Sequence, residues 1–426
     1  MGSITRRDFV RLTSAAGLGA MIPFANTTRA RAESKAPYEG PLFILINAQG
    51  GWDPTSLCDP KGRANELSES PVNMFFTDDI QVAGNIPYAP VPGLETFFDA
   101  YHQDLLVING VDTETNGHDS GRRNTWSGQL AEGYPSFGAA VAAAHGSDLA
   151  LGFITNGGYD NTAGLVAPTR MGNTDVVTRL AYPNRVSPTQ NESMYHLPET
   201  YARLEKMRQA RLAKRMQMPQ LPRVRNAMGM LHGAHGSENQ LQKLTDYLPT
   251  QLDNSGNPLR RQAEVAIASY KAGLTISANL TYGGFDTHGN HDAQHFPRLV
   301  QMMEGVAYIM EEAERQDVAD KVVVVVSSDF GRTPWYNDGN GKDHWSITSY
   351  MLMGAGIQGN RVIGASDGGH VPFTVNPQTL ELDPDGIRIT PGHVQRALRK
   401  LSGVYATEVD QMFPLPVEDL PLFTAG

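Results

Sequence analysis

The stretch GGFDTHGNHD, residues 283–292, contains four side chains of the kinds that bind metal ions: Asp286, His288, His291 and Asp292. Mixed Asp and His ligands suit zinc, manganese or a similar ion, whereas sites made only of carboxylates suit calcium or magnesium. Since Asp beside Gly is also common in turns, a polar loop without a ligand is the alternative. We predict a metal-ligand loop that contains Asp286, with the choice between His288 and His291 open.

Acids and histidines also follow other apolar runs of the sequence. Carboxylates and imidazoles that a fold brings together repel one another or lose hydration unless a positive ion joins them. The combination predicts a divalent cation, and the sequence leaves open whether it is zinc, manganese, calcium or magnesium. The segments are NAQGGWDPTS with Asp53, GVDTETNGHDSGRRNTWSG with His118, Ser120 and Arg122, DFGRTP with Asp329 and Arg332, and NDGNGKDHW with Asp343 and His344.

Short apolar runs predict the strands that position these loops. Each has the length and composition of a strand buried on both faces of a parallel sheet. Between the later runs, apolar residues recur at helical spacing from Leu299 to Met310. The alternation predicts an α/β fold with a central, mostly parallel sheet, in which ligands gather at the carboxyl ends of the strands. The runs are LFILIN (42–47), LLVING (105–110), KVVVVVSS (321–328) and SYMLMGAG (349–356), with LALGFIT (149–155) and LTISANLTY (274–282) as weaker candidates.

The middle of the chain has a different pattern. Residues 195–273 are rich in helix-forming segments, and the first of these, PETYARLEKMRQARLAKRMQ (198–217), is strongly basic. We predict a helical insertion at about 195–273, which is either a solvated cap or a surface that docks a partner.

The first residues indicate export. Arg6 and Arg7 precede a modestly apolar run that reaches the small-residue pattern Ala30-Arg31-Ala32. This order is typical of an export signal, and the paired arginines resemble the twin-arginine type. We predict a signal peptide over residues 1–32, a periplasmic or secreted mature protein, and the twin-arginine export machinery as a partner. No other apolar run reaches the roughly 18 residues of a membrane span, so no transmembrane anchor is expected in the mature form.

Charge excludes one class of partner. The formal charge is −10 for the whole chain and −14 without residues 1–32, which hold five arginines and one aspartate. An acidic surface of this kind repels phosphate backbones, so no nucleic acid partner is expected. Cys58 is the single cysteine, which leaves no internal disulfide.

The C-terminal motifs resemble those of a known family. DFGRTP, then NDGNGKDHW, then GNRVIGASD are similar to the C-terminal half of the domain of unknown function 1501 group of twin-arginine exported proteins, and GGFDTHGNH, GGWD and the signal fit the same group. That group looks like a branch of the alkaline phosphatase and sulfatase superfamily. The resemblance implies one alkaline phosphatase-like α/β domain over residues 33–426, one or two metals at the strand ends, and hydrolysis of phosphate or sulfate esters.

Carried over to this sequence, the resemblance also implies a set of ligands. Where the two-metal phosphatases have Asp followed directly by His, this chain has Asp329-Phe330, so a single metal or an atypical pair is expected. The implied ligands are Asp53, Asp286 with His288 or His291, Asp329 and His344.

The nucleophile is open. In sulfatases a modified cysteine opens a loop that contains an arginine, and on HDSGRRNTWSG this places Arg122 at the arginine and His118 at the nucleophile. Ser120 and Thr125 are hydroxyl candidates, and His118 is either a ligand or a nucleophile. Arg122 or Arg332 would bind the nonbridging oxygens of the ester. Alternatively, Arg332 pairs with a neighbouring acid and holds its loop.

Two functions follow from these expectations. The first is an exported metal-dependent hydrolase of a small-molecule phosphate or sulfate ester, with catalytic roles for His118, Ser120, Arg122 and Arg332. The second is a non-catalytic periplasmic metal-binding or assembly protein on the same scaffold, because a fold does not guarantee its chemistry.

Overall fold

The apolar runs of the sequence become the strands of one large sheet. The structure, a computed structural model, describes residues 38–68, 70–170, 179, 181–187, 190–218, 221, 224 and 238–423. The signal peptide predicted at 1–32 lies outside the described residues. The strands are β1 (Leu42–Gln49), β2 (Gln81–Ala83), β3 (Ile86–Tyr88), β4 (Leu105–Asp112), β5 (Phe153–Thr155), β6 (Pro168–Arg170), β7 (Arg185–Ser187), β8 (Gln190–Met194), β9 (Ser277–Gly283), β10 (Val322–Ser328), β11 (Gly331–Arg332), β12 (His344–Trp345), β13 (Ile347–Gly354) and β14 (Arg361–Ile363).

Within the described residues, the largest sheet has eight strands in the order β14-β4-β13-β10-β1-β9-β5-β6. Neighbouring strands are parallel except at β13, which runs antiparallel to both β10 and β4. The chain returns from β10 to β13 without a crossover helix, and a parallel return would need one. The predicted α/β class with a central, mostly parallel sheet is confirmed, and the run predicted at 349–356 is its antiparallel strand.

The central strands are buried on both faces. Ile44 of β1 belongs to the core on one face of the sheet, and Leu45 belongs to the core on the other. Val324 of β10 and Ala278 of β9 pair with Ile44 and lie in the same core as Ile44. Because side chains of a strand alternate between faces, an unbroken apolar run fills both cores.

Helices supply the other half of each core. Helices α1, α5, α6 and α7 contribute to the core that contains Ile44, and α3, α8 and α9 contribute to the core that contains Leu45. The helical spacing predicted from Leu299 onward is confirmed in α7, whose buried side includes Leu299, Met302 and Val306. The helices are α1 (Leu94–Tyr101), α2 (His118–Ser127), α3 (Phe137–His145), α4 (Pro198–Met216), α5 (Glu238–Leu244), α6 (Pro258–Lys271), α7 (His291–Arg315), α8 (Pro391–Leu401) and α9 (Glu408–Met412), with 3-10 turns at Pro54–Ser56, Thr77–Asp79 and Ala319–Lys321.

The chain divides into two compact units. Among the described residues, one unit begins at Met194 and contains α4. The other comprises Tyr38–Ser193 and Ser237–Gly426 and contains the large sheet. The domain and insertion boundaries expected from the sequence, 33–426 and about 195–273, stay a prediction. Among the described residues, no helix combines the length and the apolar character needed to cross a bilayer.

Candidate metal site

The carboxyl ends of three neighbouring strands carry the acidic loops. Strand β1 lies between β9 and β10 and is parallel to both, and Ala48 near its end pairs with Ser328 at the end of β10. The loops that follow these strands contain Asp53, Asp286 and Asp329. Residues far apart in the sequence therefore meet at one edge of the sheet, as expected for an open α/β fold.

Four side chains at this edge form what we call the histidine–aspartate cluster: His118, Asp286, His288 and His344. Asp286 lies at its centre. Its Oδ1 is 2.9 Å from Nε2 of His288 and 3.1 Å from Nε2 of His344. Its Oδ2 is 3.4 Å from Nε2 of His118. In the described part of the chain, ligand atoms of His118, Asp286 and His344 lie within 4.8 Å of one another, as the ligands of a single ion would.

The other ring nitrogen of each histidine faces a hydrogen-bond acceptor. A carboxylate or carbonyl oxygen cannot donate, so each Nδ1 carries a proton, and a ring in its neutral form then presents its lone pair at Nε2. Partners of this kind orient the histidines that bind metals in proteins. The pairs are His118 with Oδ2 of Asp329 at 2.9 Å, His288 with Oδ1 of Asp343 at 2.7 Å, and His344 with the carbonyl oxygen of Asn116 at 2.8 Å.

When the rings are neutral, acceptor atoms of the cluster face one another. The Nε2 atoms of His288 and His344 are 3.0 Å apart, and both also lie against the Asp286 carboxylate. Facing lone pairs at this distance repel one another unless a proton or a cation lies between them. The donor set of imidazole nitrogens and a carboxylate therefore fits a divalent cation, and it matches zinc or manganese better than calcium or magnesium.

Neighbouring charges keep Asp286 ionised. Burial by itself would raise the pKa of Asp286, but its interactions with Arg332 and His344 outweigh burial and lower the pKa to about 2. The hydrogen bond with Asp329 raises the pKa of His118. The side chains of Asp286 and His288 are each 47% exposed, so an ion or a ligand can reach the cluster from solvent.

Arg332 supports Asp286 from the buried side. Its guanidinium is fully buried and donates to Oδ1 of Asp286 at 2.7 Å and to the carbonyl oxygen of Gly50. It also donates to the carbonyl oxygens of Gly51 at 2.8 Å and Lys342 at 2.9 Å. Gly50 and Gly51 have φ of +114° and +83°, a region that favours glycine and that turns both carbonyls toward the guanidinium. The geometry favours the loop-holding role of Arg332.

Helix α2 brings His118 to the cluster. His118 is the first residue of the helix, which packs closely on the end of β10. A Cβ atom on Gly121 would lie 2.2 Å from the carbonyl oxygen of Asp329, so this approach requires glycine. One turn later, Thr125 Oγ1 donates to the carbonyl oxygen of Ser328 at 3.0 Å.

A second group of polar side chains lies buried under the same loops, and we call it the Asp53 network: Asp53, Thr55, Thr287, His291, His295 and Lys342. Asp53 is fully buried, and its carboxylate accepts from Lys342 Nζ at 2.6 Å, Thr55 Oγ1 at 2.6 Å and His291 Nε2 at 3.2 Å. Burial alone would raise the pKa of Asp53, but the Lys342 charge and the His291 hydrogen bond hold it well below its usual value. Protein donors thus satisfy this carboxylate.

Most of the chain matches one family. The sequence profile described as "Protein of unknown function (DUF1501)" matches residues 42–380. The chain belongs to the DUF1501 family. No curated protein matches the sequence.

Solved structures resemble this DUF1501 chain at low identity. The lipoteichoic acid synthase LtaP from Listeria monocytogenes is 8% identical, with 86% of this chain and 73% of that chain covered and a TM-score of 0.38. A 2-O GAG sulfatase is 10% identical, with 87% and 72% covered and a TM-score of 0.34. TAB5 alkaline phosphatase, as a His-to-Glu mutant, is 11% identical, with 85% and 98% covered and a TM-score of 0.34.

The six ligands predicted for this DUF1501 protein fall into two places. Asp286, His288 and His344 meet in the histidine–aspartate cluster, and Asp329 lies behind it, joined through His118. Asp53 and His291 bond to each other in the Asp53 network. Their predicted role as ligands stays a prediction, and the position of His118 matches a ligand better than a nucleophile.

The two other predicted catalytic residues lie on the first turns of α2. Ser120 Oγ is 2.6 Å from Oγ1 of Thr115 and donates to the carbonyl oxygen of Gly117 at 3.0 Å. Arg122 donates to Asp119 at 2.5 Å, and its exposed fraction is 28%. Both side chains bond to residues in the first turn of α2 or just before it.

Lys342 and His295 were not predicted from the sequence as site residues, and Asp343 of the NDGNGKDHW segment was not among the predicted ligands. His295 carried a usable signal: His291, His295 and Leu299 are spaced by four and continue the buried stripe of α7. A lysine has no such signal, because lysines are almost never fully buried unless paired.

Proposed function

We propose that this protein is an exported, metal-dependent hydrolase of phosphate or sulfate esters. The observation that carries the proposal is the convergence of imidazole Nε2 atoms from His118, His288 and His344 on the Asp286 carboxylate, with every Nδ1 held by an acceptor. A divalent cation bound there would polarise an oxygen of the ester and stabilise charge that develops on it. Hydrolysis then adds water across the ester bond and yields an alcohol and phosphate or sulfate.

The residues of the chain would hold the site ready for an anion. Arg332 is hydrogen-bonded to Asp286, and Asp329 is hydrogen-bonded to His118. These bonds would keep both ligands oriented toward a bound ion. The N-terminal end of α2, with its partial positive charge, lies at the cluster because His118 is its first residue. This arrangement favours an ester that carries negative charge.

The nucleophile in this proposal is water or Ser120. Ser120 follows His118 by two positions and is partly exposed, and its hydroxyl is hydrogen-bonded to Thr115 and to the carbonyl oxygen of Gly117. A change of its rotamer would free the hydroxyl for attack, whereas water needs no such change.

One observation favours the second candidate, a periplasmic metal-binding or assembly protein without turnover. The two hydroxyls proposed from the sequence are both engaged with backbone carbonyl oxygens, Ser120 with Gly117 and Thr125 with Ser328. Such a protein would bind the ion with the same ligands and would hydrolyse no ester.

The metal is tested first. Elemental analysis of protein purified from the periplasm, followed by titration of chelator-treated protein with zinc and manganese, is expected to give a bound transition metal. Asp286→Asn and His344→Ala are expected to lose it, and His102→Ala, which removes a histidine at the end of α1, is expected to keep it.

Turnover is tested with a panel of aryl phosphates and aryl sulfates. Hydrolysis that depends on the added metal and disappears in Asp286→Asn supports the enzyme. A Ser120→Ala variant that keeps activity assigns the attack to water, and one that loses activity while it binds metal assigns it to Ser120. Metal binding without hydrolysis of any ester would instead establish the second candidate.

Export is part of the proposal. The paired arginines at positions 6 and 7 are its basis. Expression of the full chain with Arg6→Lys and Arg7→Lys together is expected to leave the protein in the cytoplasm, and periplasmic recovery of this variant would rule out the twin-arginine route.

A further inference from the structure

The Asp53 network contains a closed ring of hydrogen bonds whose protons can be assigned. The backbone N–H of Asp53 donates to Nε2 of His295 at 2.9 Å. A backbone N–H can only donate, so His295 carries its single proton on Nδ1. That Nδ1 is 3.0 Å from Oγ1 of Thr287, which therefore accepts.

The second half of the ring follows from the first. Having accepted from His295, Thr287 donates its hydroxyl proton to Nδ1 of His291 at 2.8 Å, a shorter contact than the 3.4 Å to the carbonyl oxygen of Phe285. His291 then carries its proton on Nε2 and donates it to Oδ2 of Asp53 at 3.2 Å. Every donor in the ring has one acceptor, with both imidazoles neutral.

Because the ring is buried, a change in its pattern of donors and acceptors would cost free energy. His291 and His295 are both 0% exposed, Thr287 is 2% exposed, and the two imidazoles stack with centroids 4.3 Å apart. Burial lowers the pKa of His291 and of His295, which agrees with two neutral rings. A buried polar atom that loses its partner keeps the full penalty of its desolvation, so the ring holds its members in one arrangement.

The ring and Lys342 tie together the loops that carry the histidine–aspartate cluster. Thr287 lies between Asp286 and His288 in the sequence, and its hydroxyl is the link between the two histidines of α7. Lys342 lies two residues before His344 and donates to Asp53 at 2.6 Å. The loop with Asp286 and His288 and the loop with His344 are thus both linked by hydrogen bonds to the buried carboxylate of Asp53.

We propose that Thr287 is a positioning residue, which uses the ring of Asp53, His295 and His291 to set Asp286 and His288 for ion binding. The inference rests on the proposed function for the identity of the ion site. Removal of the Thr287 hydroxyl leaves Nδ1–H of His295 and Nδ1 of His291 without partners inside the protein. The loop relaxes to recover those bonds, and the ligands on either side of Thr287 move with it.

The test compares two variants of the full chain, each of which differs from the wild-type threonine in one group on Cβ. Thr287→Val keeps the size and branching of the side chain and removes the hydroxyl, whereas Thr287→Ser keeps the hydroxyl. Cobalt(II) affinity and the visible spectrum of the bound cobalt are measured in both, with thermal unfolding of the metal-free proteins as the check on folding. We expect Thr287→Val to bind cobalt about 10–100 times more weakly, with a changed spectrum, as for the loss of other groups that orient metal ligands. Thr287→Ser is expected to bind within a few-fold of wild type.

A metal-free measurement separates this inference from the proposed function. In histidine-labelled protein treated with chelator, nitrogen NMR is expected to show the proton on Nδ1 of His295 and on Nε2 of His291. The imidazole signals of His288 and His344 are expected to shift in Thr287→Val and to return in Thr287→Ser. If the wild-type protein binds no metal and these signals respond as stated, the proposed metal site is wrong and the positioning role of Thr287 is supported. Signals, affinity and spectrum that are all unchanged in Thr287→Val would overturn the positioning role, whatever the metal result.

Discussion

One ten-residue stretch supplies two regions of opposite character. Asp286 and His288 of GGFDTHGNHD belong to the histidine–aspartate cluster, where both side chains are 47% exposed. His291, three residues later, is fully buried in the Asp53 network. The same two residue types, Asp and His, build both regions.

The regions differ in how many imidazoles share one carboxylate and in how exposed those side chains are. In the Asp53 network, each imidazole nitrogen of His291 and His295 has a donor or an acceptor from the protein. In the cluster, the protein binds each ring through Nδ1, and the three Nε2 atoms converge on the single carboxylate of Asp286. A buried network with one partner for each atom stabilises the fold, and a solvent-accessible group of imidazoles around one carboxylate is suited to a cation.

The largest expected effect is a loss of stability on substitution in the Asp53 network. Lys342→Met removes the cation that is paired with the fully buried Asp53, and breaking a buried pair in this way costs about 3–5 kcal/mol of unfolding free energy. Urea unfolding of the chelator-treated proteins measures this change in unfolding free energy. The control Lys214→Met, at an exposed position of α4, is expected to change the unfolding free energy by less than about 0.5 kcal/mol. Equal stability of the two variants would mean that Asp53 is not isolated from water.

The next largest effect is a loss of metal affinity on substitution in the histidine–aspartate cluster. Asp286→Asn keeps an oxygen that can accept from Arg332 but removes the charged ligand, so we expect metal affinity to fall by more than the roughly 100-fold seen when only an orienting group is lost. The loss of unfolding free energy is expected to be much smaller than in Lys342→Met, because Asp286 is half exposed. Calorimetric titration with zinc gives the first quantity. A variant that binds zinc like wild type would place the ion elsewhere.

A smaller effect is expected at the acid behind His118. Asp329→Asn weakens the acceptor that orients Nδ1 of His118, and we expect metal affinity to fall by about 10–100-fold. The same change weakens the interaction that raises the pKa of His118, so protons compete less with the metal and the loss of metal on acidification moves to lower pH. Zinc titrations at several pH values between 5 and 8 measure both. An unchanged pH dependence would contradict the role of Asp329.

The smallest effects have opposite signs in the two regions. The pKa of His295 is held well below its usual value by burial, so the unfolded state binds more protons and stability falls as the pH drops below about 6.5. The pKa of His118 is raised, so His118 contributes stability that is present at low pH and lost as the pH rises through its folded pKa. In chelator-treated protein, His118→Gln is therefore expected to steepen the loss of stability between pH 7.5 and 5.5. His295→Gln is expected to make this loss of stability shallower. If both variants changed the pH dependence of stability in the same direction, the contrast between the two regions would be contradicted.

Much of the fold was accessible from the sequence. The apolar runs at 42–47, 105–110 and 321–328 all lie in buried strands of the large sheet, because continuous apolar segments of that length can be buried on both faces. The direction of β13 was not accessible, since an apolar run has the same pattern whichever way the strand runs. Direction depends on the connection, here the loop that follows Asp329.

For the site, the sequence by itself determined which loops carry acids and histidines and that they follow strand ends. It determined that Asp286, His288 and His344 were candidates, because their residue types and spacing are local properties of the chain. Only the tertiary structure decided that His118 joins them and that Asp53 pairs with Lys342, a residue 289 positions away. The physical reason is that a ligand and a buried structural acid are chemically identical until the fold fixes how much water and how many protein donors surround each carboxylate.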